Sequence, residues 1–237
     1  MSWTRRGESV SVGDSREEIL ATIRAAVGTS ARRDRLSAPE FNLRNSVEET
    51  RDELAGRFQS EMTRVGGRFH RATNAESVCA YIEQVAEAEG AKTIICSTAR
   101  LADEFGIANR LAAKRIAFIT DPTESDILTN AARAQIGVTG VDYALAETGS
   151  LVLLARPGQP RSVSLLPPVH IALIRPEQII RGFDELFELL RADFEATGVK
   201  SAVTFITGPS RTADIELTLV VGVHGPQQLH AVLVDGQ

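Results

Sequence analysis

Apolar residues follow a helical rhythm at the start of the chain. They recur every three to four residues between Ile19 and Val27, behind a capping box that begins at Ser15, and this spacing predicts an amphipathic helix that ends at Gly28. Residues 29–45 show no such period and are rich in arginine. We therefore predict an arm over residues 1–45, made of one short helix and a linker, followed by a domain over residues 46–237.

The same rhythm continues into the domain. A second capping signal at Ser46 precedes an apolar row that stops at Gly66, and a third helix is predicted from Asn74 to Glu89. Both segments place their apolar residues on one side, as helices packed on a core do.

Beyond residue 90 short apolar runs alternate with helical segments. Strands are predicted at 93–96, 116–119, 136–139, 150–155, 163–166, 170–174 and 202–206, and helices at 101–111, at 124–134 and from Pro176 through Leu190. Strands that alternate with helices indicate an α/β fold with parallel strands. The close succession of strands after residue 150 favours some antiparallel pairing, so the predicted sheet is mixed but mostly parallel.

Small, hydroxyl and charged residues are concentrated directly after the strand at 202–206. The candidate ligand-binding residues are Thr207, Gly208, Ser210, Arg211, Thr212, Asp214 and Glu216. Backbone N–H groups, hydroxyls and a forked guanidinium suit a carboxylate or a phosphate. Because ligands of open α/β sheets collect beyond the carboxyl ends of strands, we predict an anion site at this turn. The alternative is a self-satisfied loop in which Arg211 pairs with Asp214.

A second dense patch places Glu147 just before the most apolar strand and beside Gly149, which is a further candidate ligand-binding residue. A carboxylate at the mouth of a buried strand is costly to desolvate unless it is paired. Glu147 is therefore a candidate nucleophile, general base or ligand-orienting group, with a cap or ion pair on the turn as the alternative. His224 lies beside glycines and is the candidate for acid–base chemistry. His170 and His230 alternate with apolar residues along strands, and we expect them to be structural.

Composition excludes several classes of protein. The chain has 237 residues, a net charge of −5 and 5% aromatic residues, which argues against a nucleic-acid binder. Two cysteines cannot hold an iron–sulfur cluster, and no nucleotide-binding fingerprint occurs. We therefore expect no cofactor and no metal. Neither a secretory signal nor a membrane span is predicted, so we expect a cytoplasmic protein.

Four segments carry a resemblance to a known family. They are Ala146–Ser150, Leu165–His170, Thr207–Glu216 and Gly222–His230. Their order and spacing resemble the LUD domain, most closely the lactate-utilisation protein C family, and the resemblance covers nearly the whole chain. It implies a three-layer α/β/α sandwich of the kind found in the NagB/RpiA/CoA-transferase superfamily.

The resemblance also implies a role in bacterial oxidation of L-lactate to pyruvate, with two iron–sulfur proteins as partners. The first hypothesis is therefore a non-redox subunit that binds a small carboxylate or another anion. Some CoA transferases of the superfamily use a glutamate in a Glu-Asn-Gly turn, which Glu147-Thr148-Gly149 resembles with threonine in place of asparagine. The second hypothesis is a stand-alone transferase or ligase that uses Glu147, and the third is a small-carboxylate sensor. Each is compatible with a homo-oligomer.

Overall fold

The computed structural model describes residues 12–29, 49–120, 126–198, 201–213 and 219–235. By its contacts the chain divides into two units, Met1–Arg44 and Asn45–Gln237. In the first unit, helix α1 (Val12–Thr29) contains the predicted amphipathic segment, which confirms a helix there. Its apolar residues Ile19 and Ile23 are exposed.

A six-stranded parallel sheet forms the centre of the second unit. Its strands, in spatial order, are β1 (Arg68–Ala72), β12 (Gln228–Val234), β7 (Val169–Ile174), β4 (Ile136–Gly140), β2 (Thr93–Cys96) and β3 (Ala117–Ile119). Every neighbouring pair is parallel. All six residues of β7 are buried, as expected for a strand covered on both faces.

A second sheet has four strands and contains the antiparallel pairs. Its order is β8 (Ile179–Ile180), β5 (Tyr143–Leu145), β6 (Ser150–Leu154) and β9 (Val203–Ile206). β6 is antiparallel to both β5 and β9, whereas β8 runs parallel to β5. Strands β10 (Arg211–Ala213) and β11 (Leu219–Val221) form a separate antiparallel pair.

Helices cover both faces of the parallel sheet. The helices of the second unit are α2 (Arg51–Arg64), α3 (Ala75–Ala88), α4 (Ala99–Phe105), α5 (Ile107–Ala113), α6 (Ile127–Arg133), α7 (Ser162–Leu165) and α8 (Phe183–Thr197). Alternate residues of β7 separate the two faces: Ile171 packs with α3, α4 and α5, whereas Ile174 packs with α2 and the second sheet. Helix α8 covers the outer face of the second sheet. The predicted α/β sandwich is confirmed, and its mixed pairing lies in the second sheet.

Several predicted elements are wrong in detail. Helix α2 begins at Arg51, and its capping box joins Thr50 to Glu53 instead of starting at Ser46. The helix predicted over 101–111 is two helices, α4 and α5, which meet at Gly106 with a left-handed backbone.

Two further corrections concern apolar runs of ambiguous type. The run at 163–166 lies largely in helix α7, not in a strand; α7 approaches Gly137 so closely that a Cβ there would overlap the Val163 backbone. The segment after Pro176 is a single turn of 3-10 helix followed by β8, and the long helix starts only at Phe183. Short apolar runs do not distinguish a strand from a helical turn.

Candidate functional site

The structure brings three of the predicted segments together at the carboxyl end of α2. We call residues 147–149, 207–211 and 222–226 the turn cluster. Gly149 has a φ of 66°, and a Cβ added to it would lie 2.6 Å from the Glu61 carbonyl carbon. Gly208 has a φ of 82°, and its Cβ would lie 2.6 Å from the Val65 oxygen. Glycine is therefore required at both positions by conformation and by contact with α2.

Hydrogen bonds join the segments of the turn cluster. The Thr148 hydroxyl donates to Ser150 Oγ at 2.7 Å, and Ser150 Oγ lies 2.6 Å from Thr207 Oγ1. The Ser210 N–H donates to the Pro226 oxygen, and the Gly222 N–H donates to the Ser210 oxygen, both at 2.9 Å. Several donors that the sequence offers to a ligand are thus used within the protein.

The turn cluster lies at the amino edge of the parallel sheet. It contacts Val65 and Gly66, which precede β1. Its last segment leads into Gln227, the residue before β12, and the Gln227 N–H donates to the oxygen of Pro168, which precedes β7. The Thr207 turn does follow the carboxyl end of a strand, as predicted, but it lies at the edge opposite the carboxyl ends of the parallel strands. The turn follows β9, and β9 belongs to the second sheet.

The predicted site residues differ in what surrounds them. The Glu147 side chain is directed over Gly182 at an exposed turn, and Arg211 is exposed and lies across Gly66. His224 is exposed. Among the residues that the structure describes, no hydrogen bond or ion pair links these three side chains. Thr212 lies in β10, whereas Asp214 and Glu216 lie outside the described residues.

A cavity of about 360 Å³ lies at the opposite, carboxyl edge of the parallel sheet. We call it the edge cavity. Its walls are formed where β2, β4 and β7 end, at Ser97, Thr139 and Arg175, and by residues of β5 and β6 from the second sheet. The carboxyl edge is where ligands of open α/β sheets bind, and this volume falls within the range of small-molecule sites.

Arginines dominate the polar lining of the edge cavity. Arg175 is paired with Glu104, and Arg156 is paired with Asp142. Arg100 and Arg161 also line the cavity, and neither has an ion-pair partner among the residues that the structure describes. The cavity therefore presents two guanidinium groups that form no ion pair with a carboxylate of the described residues, which suits an anionic ligand.

Asp142 is the most enclosed of the acidic residues that line the edge cavity. Burial raises the pKa of its carboxyl group, and the Leu154 N–H and Arg156 act in the opposite direction. The Leu154 N–H donates to Asp142 Oδ2 at 2.6 Å. This bond ties the carboxyl group to β6, and its ion pair with Arg156 fixes the adjacent wall of the cavity.

His170 and His230 are buried between strands, as a structural role requires. His170 Nε2 lies 2.8 Å from Thr139 Oγ1, and His230 Nδ1 lies 2.9 Å from the Tyr81 hydroxyl. Burial lowers the pKa of His170 to about 3 and that of His230 to about 4. Both rings are therefore neutral at physiological pH and contribute hydrogen bonds rather than charge.

Comparison with known proteins shows the family. The LUD domain model matches residues 55–234. This chain belongs to the LUD domain family. It is 30% identical over 226 residues to a protein named lactate utilization protein C from Halalkalibacterium halodurans, covering 93% of this chain and 97% of that protein. A protein of the same name from Macrococcus caseolyticus is 38% identical over 165 residues, covering 69% of this chain and 70% of that protein.

A solved structure supports the fold of this LUD domain protein. The crystal structure of a DUF162 family protein from Deinococcus radiodurans superposes with a TM-score of 0.56 at 23% identity, covering 78% of this chain and 99% of that chain. In the described residues, we find no helix long and apolar enough to cross a membrane. Within the same ranges, no group of three or more histidine, cysteine or acidic residues is arranged to hold a metal.

Proposed function

We propose that this protein is a non-redox subunit of a bacterial L-lactate utilisation system, that it acts in the cytoplasm with iron–sulfur partner proteins, and that it binds a small carboxylate. Its similarity to proteins named lactate utilization protein C, across 93% of the chain in one case, carries the proposal. Cys79 and Cys96 are both buried, and two thiols cannot supply the four ligands of an iron–sulfur cluster, which supports a non-redox role for this chain.

The edge cavity is the place we propose for the carboxylate. A guanidinium binds a carboxylate through two parallel N–H donors, and Arg100 and Arg161 are the cavity arginines that no described carboxylate engages. Arg175 and Arg156 are oriented by their acidic partners and help to enclose the ligand.

Isothermal titration calorimetry with L-lactate, pyruvate and inorganic phosphate tests this site, on the protein alone and with its co-purified partners. We expect a carboxylate to bind, and Arg100→Gln and Arg161→Gln each to weaken binding by about 1.5–3 kcal/mol, the value of a hydrogen bond to a charged group. No carboxylate binding in either preparation would contradict the proposal.

The turn cluster remains a second predicted anion site, and Arg211→Gln is the matched control. Arg211 is exposed like Arg100 and Arg161, so the three variants remove the same charge from comparable surroundings. Loss of binding in Arg211→Gln alone would place the anion at the turn cluster and contradict the assignment to the edge cavity.

Affinity purification from cells grown on L-lactate tests the proposed partners. We expect the tagged chain to co-purify with iron-containing proteins, detected by iron analysis and mass spectrometry of the eluate. Recovery of the chain without them from lactate-grown cells would contradict the assignment as a subunit.

A further inference from the structure

The outer strands of the two larger sheets differ in their protection against pairing with another chain. Natural proteins protect sheet edges with charged residues, proline or very short strands. β1 carries Arg68 and Arg71, β3 follows Lys114 and Arg115, and β8 has only two residues. β9 (Val203–Ile206) has no charge and no proline, and no described strand pairs with its outer side.

An apolar groove runs beside β9. It is lined by Phe187, Leu190 and Phe194 of α8 and by Val203 and Phe205 of β9. Phe187 is 57% exposed and Phe205 is 41% exposed, although the Phe205 ring packs 5.5 Å from that of Phe183. Large aromatic side chains that share one exposed patch mark an interaction surface, whereas isolated ones need no explanation.

The charged residues at the rim of this groove favour a second copy of the chain as its partner. Arg191 and Glu195 lie 3.1 Å apart on α8, and their side chains are 82% and 70% exposed. These two groups pair with each other within α8, so the rim carries no net charge and can lie against the same rim of a second copy about a two-fold axis. They fit a second copy of the chain better than a strongly acidic or basic partner.

We propose that two copies of this protein form a symmetric dimer through β9 and α8. The β9 strands of the two protomers pair in antiparallel fashion, which joins two four-stranded sheets into one. The α8 helices then cover each other's Phe187 and Phe205. This groove shares no lining residue with the edge cavity, so the dimer does not depend on the proposed carboxylate site.

Sedimentation equilibrium of the full chain tests the dimer. We expect a mass twice the chain mass of 25.6 kDa, and Phe187→Glu should raise the dissociation constant at least about tenfold, as loss of a central aromatic contact does. Leu128→Glu is the matched control, because Leu128 is 65% exposed on α6; it should change the dissociation constant less than about twofold. A monomer at every concentration would overturn the proposal, even if another protein covers the groove.

Hydrogen exchange distinguishes pairing through β9 from a dimer formed elsewhere. The backbone amides of β9 that do not already donate to β6 should exchange more slowly at concentrations where the dimer forms than after dilution to the monomer. A dimer that leaves these amides equally exposed, or that Phe187→Glu does not weaken, would overturn the proposed interface.

Discussion

Gly149 is constrained both by its backbone conformation and by close packing against α2. Its φ is 66°, and an added Cβ would lie 2.7 Å from Met62 Cα on helix α2. We expect Gly149→Ala to lower the free energy of unfolding by more than about 3 kcal/mol, because both the backbone and α2 must shift.

Gly158→Ala is the control for this prediction. Gly158 has a similar φ of 74°, but an added Cβ would meet nothing within 4 Å. This substitution should lower the free energy of unfolding by about 1 kcal/mol, the penalty for placing alanine in the left-handed conformation. Urea denaturation of both variants measures their free energies of unfolding. An equal loss in the two variants would show that contact with α2 does not constrain Gly149.

The buried histidines predict a pH dependence of stability. The pKa values of about 3 for His170 and about 4 for His230 lie below the ordinary value of 6.5, so the unfolded chain binds protons first as the pH falls. The contribution of these histidines to the free energy of unfolding should be complete above about pH 6.5. It should decline toward pH 4 by up to about 1.4 kcal/mol per pH unit for each histidine.

Urea denaturation between pH 7 and pH 5 measures this effect, with His230→Gln as the comparison. Glutamine keeps a polar group beside Tyr81 and does not titrate, so the variant should lose less stability than the wild type over this interval. An identical decline in both proteins would contradict the role assigned to His230.

Sequence reasoning was most reliable for residues whose neighbours in the chain determine their surroundings. It predicted that His170 and His230 are structural, because alternation along a strand places every second side chain in the core. It did not find Arg100, Arg161 or Asp142 of the edge cavity, whose proximity depends on sheet order. A signal was present: Arg100 and Asp142 shortly follow predicted strands, so the carboxyl-end rule applied to each of those strands would have indicated them.

At the scale of elements, capping is the local signal that the structure tests most directly. Thr50 Oγ1 accepts from the Glu53 N–H at 3.3 Å, and the Glu53 carboxylate accepts from the Thr50 N–H at 2.7 Å. We expect Thr50→Ala to lower the free energy of unfolding by about 1 kcal/mol.

Thr63→Ala is the matched control for the cap, because Thr63 lies in the same helix and its hydroxyl donates to the Gln59 oxygen within that helix. This change should alter stability by less than about 0.5 kcal/mol. Thermal unfolding of the two variants provides the comparison, and an equal loss in both would contradict the assigned start of α2.

Elements with a clear apolar period or apolar run were predictable, and elements without one were not. Helix α3 and strands β2, β4 and β7 lie where the pattern places them. Strands β1 and β5 were missed because β1 carries two arginines and a histidine and because the three residues of β5 lie between the charged residues Asp142 and Glu147. Their pairing with distant strands, β1 with β12 for example, supplies the stability that local propensity does not.

At the scale of the whole molecule, we predict that a chain lacking residues 1–45 folds. Every strand of the described sheets lies beyond that segment, and the core residues of all four apolar clusters do as well. Thermal unfolding of residues 46–237 should remain a single cooperative transition. A broad transition or aggregation at low temperature would show that the arm completes the core.

The fold class was predictable from the alternation of strands and helices, whereas the candidate site was not. Thr207 and Glu147 were expected to be near a common site, and the Ser150 hydroxyl does join their turns. The edge at which they lie depends on β9 belonging to the second sheet, which no local pattern indicates. The edge cavity arises only when β2, β4 and β7 are adjacent.

Growth on L-lactate tests the central claim most directly. The measurement compares a bacterium from which this gene is deleted with the same strain complemented by the wild-type chain or by the double variant Arg100→Gln/Arg161→Gln. We predict that the deletion prevents growth on L-lactate but not on glucose, that the wild type restores growth, and that the double variant is folded and present at normal levels but does not. Normal growth of the deletion strain on L-lactate would contradict the role in lactate utilisation, and full complementation by the double variant would contradict the site.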